Sequence, residues 1–197
     1  MTGGPLGYPL NEWASLLNES KGVFNWPDWQ TPRVFVEGKR AAAKAGRSRF
    51  VSHETERCRL HVQLMDKSGA SIEGAEVCLM MWRYRPMEDM SAILSVAYEG
   101  KSVCICRVDV RPAAPHINKH WRRFGGPSEI NGSHVHQFSD NATLGRKAFD
   151  PFGNLPQAVP LHTEPDHLRD FLQVVERAFN VDGLTTLHPP PTQESLL

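Results

Sequence analysis

Between residues 57 and 110 apolar and polar positions alternate with the two-residue period of half-buried strands. Cys58, Leu60, Val62 and Leu64 interleave with Arg57, Arg59, His61 and Gln63, which predicts a strand with one face in the core. Asp66-Lys67-Ser68-Gly69 predicts the turn that follows. Further strands are predicted over 75–84, 93–98 and 103–110, and a short fifth over 132–138. The short connections among them imply antiparallel pairing. Two stretches carry the helical period instead. Asn11 is placed to cap a helix over 12–19 that buries Trp13, Leu16 and Leu17. Thr163-Glu164-Pro165-Asp166 is placed to start a second helix, with Leu168, Phe171, Leu172, Val175 and Phe179 at helical spacing and His162 and His167 as surface or capping residues. The expected architecture is α+β, an antiparallel sheet of about five strands flanked by an N-terminal and a C-terminal helix.

The same alternation concentrates the candidate chemistry. In Gly132-Ser133-His134-Val135-His136-Gln137-Phe138 both histidines project from one face of a strand and Val135 from the other. Two imidazoles two residues apart on a strand have Cα atoms about 7 Å apart, close enough to hold one metal ion or to flank one phosphate as general base and general acid. The strand over 103–110 places Arg107, Asp109 and Arg111 on a common face. Between the two strands runs Pro115-His116-Ile117-Asn118-Lys119-His120-Trp121-Arg122-Arg123, a loop dense in donors and titratable groups. These segments predict one site, with His134, His136, His116, Arg107 and Asp109 as its chemical residues. Asn118, Lys119, Arg122, Arg123 and, further on, Lys147 are the candidates for contacting substrate.

Composition bounds what such a site serves. The chain has 197 residues and 40% apolar content, enough for one well-formed core. The expected organisation is an N-terminal helix with a basic linker over 1–47, a core domain over 48–183 that carries the site, and a proline-rich tail over 184–197. Formal net charge is zero, which excludes nucleic-acid binding by bulk electrostatics alone. Its distribution is uneven: residues 101–149 carry eight Lys/Arg against three Asp/Glu, and residues 150–197 carry two against seven. The basic share falls on the candidate site, which suits an anionic ligand such as a phosphodiester. Cys58, Cys78, Cys104 and Cys106 all sit within strand-like patterns and read as free core thiols, the habit of a reducing compartment. With no membrane-length apolar run and no signal-peptide pattern at the start, the expected location is the cytoplasm, without a membrane partner.

In order and spacing, Arg107-x-Asp109, Pro115-His116-x-Asn118, Gly132-x-His134-x-His136 and Arg146-Lys147-Ala148-Phe149, with the C-terminal helix, resemble an uncharacterised bacterial domain family. The resemblance spans about residues 48–182. It implies a toxin-like or mobile-element protein and gives weight to Arg107, Asp109, His116, Asn118, His134 and His136 as a set. It does not imply a reaction. Three functions follow as expectations. The first is a small nucleic-acid-processing protein, a metal-independent endoribonuclease without a cofactor: His134 or His136 is the base, the other or His116 the acid, and Arg107 or Lys147 stabilises developing charge. RNA or another phosphodiester would be its ligand. The second is a site for zinc or another divalent metal built from His134, His136 and a third ligand drawn from Asp109, His116 or His120, cupin-like or hydrolytic. The third is a non-catalytic inhibitor or adaptor that binds a target or neutralising protein through Trp121, Arg122, Arg123 and Phe124.

Overall fold

The structure is a computed structural model and describes residues 9–31, 33–37, 50–54, 57–83, 85–149 and 154–190. The basic stretch over 39–49 and the end of the proline tail lie outside the described residues. Helix α1 (Leu10–Asn18) leads into β1 (Lys21–Val23), then the hairpin of β2 (Arg33–Glu37) and β3 (Phe50–Glu54). The sheet-forming run follows as β4 (Arg57–Met65), β5 (Ser71–Trp82), β6 (Met90–Tyr98) and β7 (Lys101–Val110). A small hairpin, β8 (His116–Ile117) and β9 (Glu129–Ile130), encloses the one-turn helix α2 (Trp121–Phe124). After it come β10 (His134–His136), α3 (Phe138–Ala142), β11 (Val159–Pro160), α4 (Leu168–Phe179) and β12 (Val181–Asp182). Among the described residues no helix is long and apolar enough to cross a membrane.

The α+β class is as expected, but the main sheet is larger than the five strands read from the sequence. It has eight strands in the order β11-β10-β7-β6-β5-β4-β1-β12, all antiparallel except the β1–β12 pair. The additional strands are two or three residues long, too short to show a period. Helix α4 places Phe171, Leu172, Val175 and Phe179 in the core against the sheet, and α1 contributes Trp13, edge-on to Tyr98 and Phe149. The N-terminal helix and β1 are thus built into the same core as the rest of the sheet.

Both helix starts differ from expectation for local reasons. Helix α1 begins two residues earlier, at Leu10, because the Trp13 amide bonds back to the Pro9 carbonyl, so Asn11 lies inside the first turn. Its far end is closed by buried Lys21, whose Nζ donates to the carbonyls of Leu16 (2.7 Å) and Glu19 (2.6 Å). Burial pushes the Lys21 pKa down to about 8. Helix α4 is capped by His167 rather than Thr163, through a reciprocal box in which Asp170 accepts from the His167 amide. Glu164 and Asp166, ahead of it, are used elsewhere: both pair with Arg111, and Glu164 accepts from Ser133. Arg111 therefore turns off the end of β7 toward α4, away from Arg107 and Asp109.

The four cysteines are free. A β-bulge puts Leu94 opposite Cys106 but Ser95 opposite Cys104, leaving Ile105 as the extra residue on β7. The bulge sends Ile105 into the core and leaves Cys104 half-buried. Burial pushes the thiols of Cys104 and Cys106 up to about 12 and that of Cys78 up to about 11. A thiolate is the reactive form, so at pH 8 the folded protein should react with a disulfide reagent far more slowly than a small-molecule thiol, and all four cysteines should react at once in denaturant. Rapid labelling of the native chain would contradict this packing.

Candidate metal centre

The register of β10 against β7 builds the site. His134 lies opposite Asp109, Val135 opposite Val108 and His136 opposite Arg107. One face of this pair of strands is apolar and points toward α4; the other carries two imidazoles, a carboxylate and a guanidinium. His116 joins them from β8. The three rings are in mutual contact, with centroids 5.1 Å (His116–His134), 4.6 Å (His116–His136) and 5.0 Å (His134–His136) apart. One ring nitrogen of each histidine lies within 4.8 Å of the other two.

Backbone carbonyls decide which nitrogens converge. His134 Nδ1 is 2.8 Å from the Gly132 carbonyl and His136 Nδ1 is 2.6 Å from the Leu155 carbonyl. A carbonyl only accepts, so each Nδ1 carries the proton and each Nε2 is left with its lone pair. Those Nε2 atoms stand 3.4 and 3.3 Å from Asp109 Oδ2. Of these atoms His136 Nε2 is buried with no hydrogen-bond partner, as is His116 Nε2, whereas Asp109 Oδ2 also lies 2.7 Å from the Arg107 guanidinium. Buried polar atoms without partners are uncommon, and two such imidazole nitrogens in one cluster of three histidines suit a cation. Tetrahedral zinc, with nitrogens at 2.0–2.1 Å, sets donors about 3.4 Å apart, so a group within 4.8 Å needs to close by at most about 1.4 Å.

Arg107 completes the charge balance. Its Nε lies 2.7 Å from Asp109 Oδ2 and 2.9 Å from Oδ1, and its Nη1 donates to Asn154. Burial opposes ionisation of Asp109, but hydrogen bonds that the facing His134 and His136 rings donate when their Nε2 carries a proton, together with the Arg107 guanidinium, outweigh it and hold the carboxyl well below its usual range. Burial also lowers the His136 pKa, with Asp109 pulling the other way. His116 is pushed down to about 4 by burial and by the neighbouring His136 and His134. Both rings are therefore neutral at pH 7. In the metal-free chain the sign of the pH dependence follows: the unfolded histidines take up protons near pH 6.5 that the folded ones refuse. Stability should fall as pH drops from about 6.5 toward 4, by on the order of 2 kcal/mol for half-buried His116 after allowing for solvent. Asp109 adds to the loss only below about pH 4, where its unfolded form protonates first. Urea midpoints between pH 7 and 4 check this; a flat profile would contradict it.

The remaining candidates are arranged differently. Asn118 is 1% exposed, and its side chain is committed to the backbone: Nδ2 donates to the carbonyls of Pro127 and Ala158, and Oδ1 accepts from the Ala158 amide. It positions the loop. Lys119, His120, Arg122 and Arg123 are exposed on the segment between β8 and β9, so His120 is not in the cluster. Lys147 is exposed on the turn Arg146–Ala148, and the Phe149 beside it is buried against Phe138 and Trp13. Sequence reasoning missed the groups that orient the rings. The carbonyls of Gly132 and Leu155 are backbone atoms with no residue signature, and Asn141, which accepts from the Gln157 amide and donates to the Gln157 carbonyl, looks like any helix asparagine.

No family model, no curated protein and no solved structure matches the chain.

Proposed function

We propose that this chain is a metal-binding protein in which the Nε2 atoms of His116, His134 and His136, with Asp109 as fourth donor, hold one divalent ion of the zinc class. The observation that carries this reading is the grouping of one ring nitrogen from each of His116, His134 and His136 within 4.8 Å of the others, with His116 Nε2 and His136 Nε2 buried without partners and the opposite nitrogens of His134 and His136 bound to carbonyls. Histidine ligands to metals are oriented in this way by an acceptor on their other nitrogen. A His₃Asp set with a neutral-imidazole majority suits zinc, and carboxylate plus imidazole also suits iron or manganese.

The centre is of the closed kind. His134 is 2% exposed, His136 1% and Asp109 2%, and although His116 is only half-buried its Nε2 is covered, so these donors leave no face open to a polymer. Catalytic zinc keeps an open position, whereas structural zinc is enclosed by four protein ligands. The ion's task is then to tie β7, β8 and β10 together. A metal-independent endoribonuclease would need a histidine nitrogen within reach of a phosphate, and the burial of these atoms weighs against it.

The test is the metal content of the purified full chain by elemental mass spectrometry, beside the His134→Ala/His136→Ala variant. One zinc, iron or manganese per wild-type chain, and none in the variant, is the expected result. Absence of metal from wild type, even after incubation with zinc, together with His134-dependent RNA cleavage, would return the cluster to acid/base chemistry.

A further inference from the structure

The segment between β8 and β9 projects a surface that the metal reading does not use. Its base is fixed: the Asn118 amide bonds to the Ser128 carbonyl, the Asn118 side chain spans to Pro127, and Arg123 Nη2 reaches the Thr143 carbonyl. The α2 turn is closed by Gly125, whose amide returns to the Trp121 carbonyl from a left-handed conformation (φ 72°). On this base stand Ile117, 54% exposed, and Trp121, 39% exposed, two of four large apolar side chains exposed among the described residues. Arg122 stacks its guanidinium over the Trp121 ring at 5.2 Å, and Lys119 and Arg123 are exposed nearby in sequence.

The charge of this segment is mostly positive. From Val110 to Ser128 the chain has Arg111, Lys119, Arg122 and Arg123 and no acid, and the first acid is the exposed Glu129, opposite Ile117 on the same hairpin. Arg111 is neutralised by Glu164 and Asp166, whereas the other three make no ion pair among the described residues. A fixed projection with an exposed indole, an arginine on its face and uncompensated cations beside it has the chemistry of a stacking platform with phosphate contacts. A duplex is a poorer fit. It hides its base faces and is gripped by broad positive fields, which a chain of zero net charge does not have.

We infer that the β8–β9 projection binds single-stranded nucleic acid, with one base stacked on Trp121 and adjacent phosphates held by Lys119, Arg122 and Arg123. A protein partner would also use tryptophan and arginine, but three cations, Lys119, Arg122 and Arg123, against the single carboxylate of Glu129 opposite Ile117 suit a polyanion better. Its contacts are residues other than the metal ligands, although the hairpin that presents them also carries His116.

The experiment is fluorescence anisotropy of labelled 12-residue oligouridine and oligothymidine, with a duplex of the same length as control, on full-length wild type, Trp121→Ala and Arg122→Ala/Arg123→Ala. Metal content and circular dichroism are measured on each preparation. Both single strands should bind wild type, the duplex at least about tenfold more weakly. Trp121→Ala should lose about tenfold in affinity. Arg122→Ala/Arg123→Ala should flatten the slope of log K against log salt by about 1.4. Preference for one oligomer would identify the sugar. Ile117→Ser serves as a second probe of the platform should Trp121→Ala fail to fold, with a loss of severalfold expected. Equal binding of duplex, or unchanged affinity in a folded Trp121→Ala, would overturn the inference, as would wild type that holds its metal and binds no strand. Trp121-dependent binding by wild type that holds no metal would instead sink the metal reading and leave this one standing.

Discussion

Chelation should lower the melting temperature of the wild-type protein by roughly 10–15 °C and leave that of His134→Ala/His136→Ala unchanged. The size follows from mass action. An ion held at a thousand times its dissociation constant contributes about 4 kcal/mol, and a chain of this length shifts by about 2–4 °C per kcal/mol. The direction follows from what the ligands join. His116 lies on β8, outside the main sheet, whereas His134 and His136 lie on β10 and Asp109 on β7. β8 pairs only with β9, over two residue pairs, which by themselves hold the hairpin weakly. An ion shared by the three elements replaces the ladder the hairpin lacks. Without it the chain keeps three contacting imidazoles in a buried space. Differential scanning fluorimetry with and without a strong chelator, followed by zinc add-back, measures the effect. A chelator shift equal in wild type and variant would place the metal elsewhere, and the absence of any shift would remove the ion from the account of stability.

The candidate residues were more legible than their geometry. Arg107, Asp109, His134 and His136 stand out because a two-residue period assigns them to faces, and a period is a local property. That His134 meets Asp109 and His136 meets Arg107 depends on the pairing of β7 with β10, which are separated by the whole β8–β9 hairpin, and no local pattern encodes that register. His116 was visible as a titratable residue in a loop. Its approach to the other two depends on the clasp made by Asn118, a residue that reads equally well as a ligand contact. The bulge at Ile105 breaks the parity of β7, so alternation alone puts Cys104 and Cys106 on one face when the extra residue separates them. The three missing strands of the main sheet, β1, β11 and β12, are recognisable only by their neighbours. α4, by contrast, was plain, because twelve residues of amphipathic periodicity record their own burial.

Asn118→Ala should cost about 3–4 kcal/mol, a fall in melting temperature of roughly 10 °C, and should weaken metal binding by about 10–100-fold although Asn118 is not a ligand. The truncation leaves the carbonyls of Pro127 and Ala158 and the Ala158 amide without their partner, inside the protein. A buried backbone group deprived of its hydrogen bond costs about 1–3 kcal/mol, and relaxation keeps three of them from adding in full. The effect on metal arises from the segment that Asn118 holds. Residues 155–158 present the Leu155 carbonyl to His136 and the Pro156 carbonyl to His116, and this segment is gripped from one side by Asn118 at Ala158 and from the other by Asn141 at Gln157. Asn141→Ala should therefore destabilise by a similar amount. The double variant should lose less than the sum of the two, because once either clasp is open the segment already moves. Denaturant titration of the four proteins gives the coupling, and competition with a coloured chelator gives the metal affinities. Strict additivity would mean that the two asparagines hold independent pieces of backbone. Full metal affinity in a folded Asn118→Ala would show that the rings keep their orientation without the clasp, and the role of the Leu155 and Pro156 carbonyls would then fall with it.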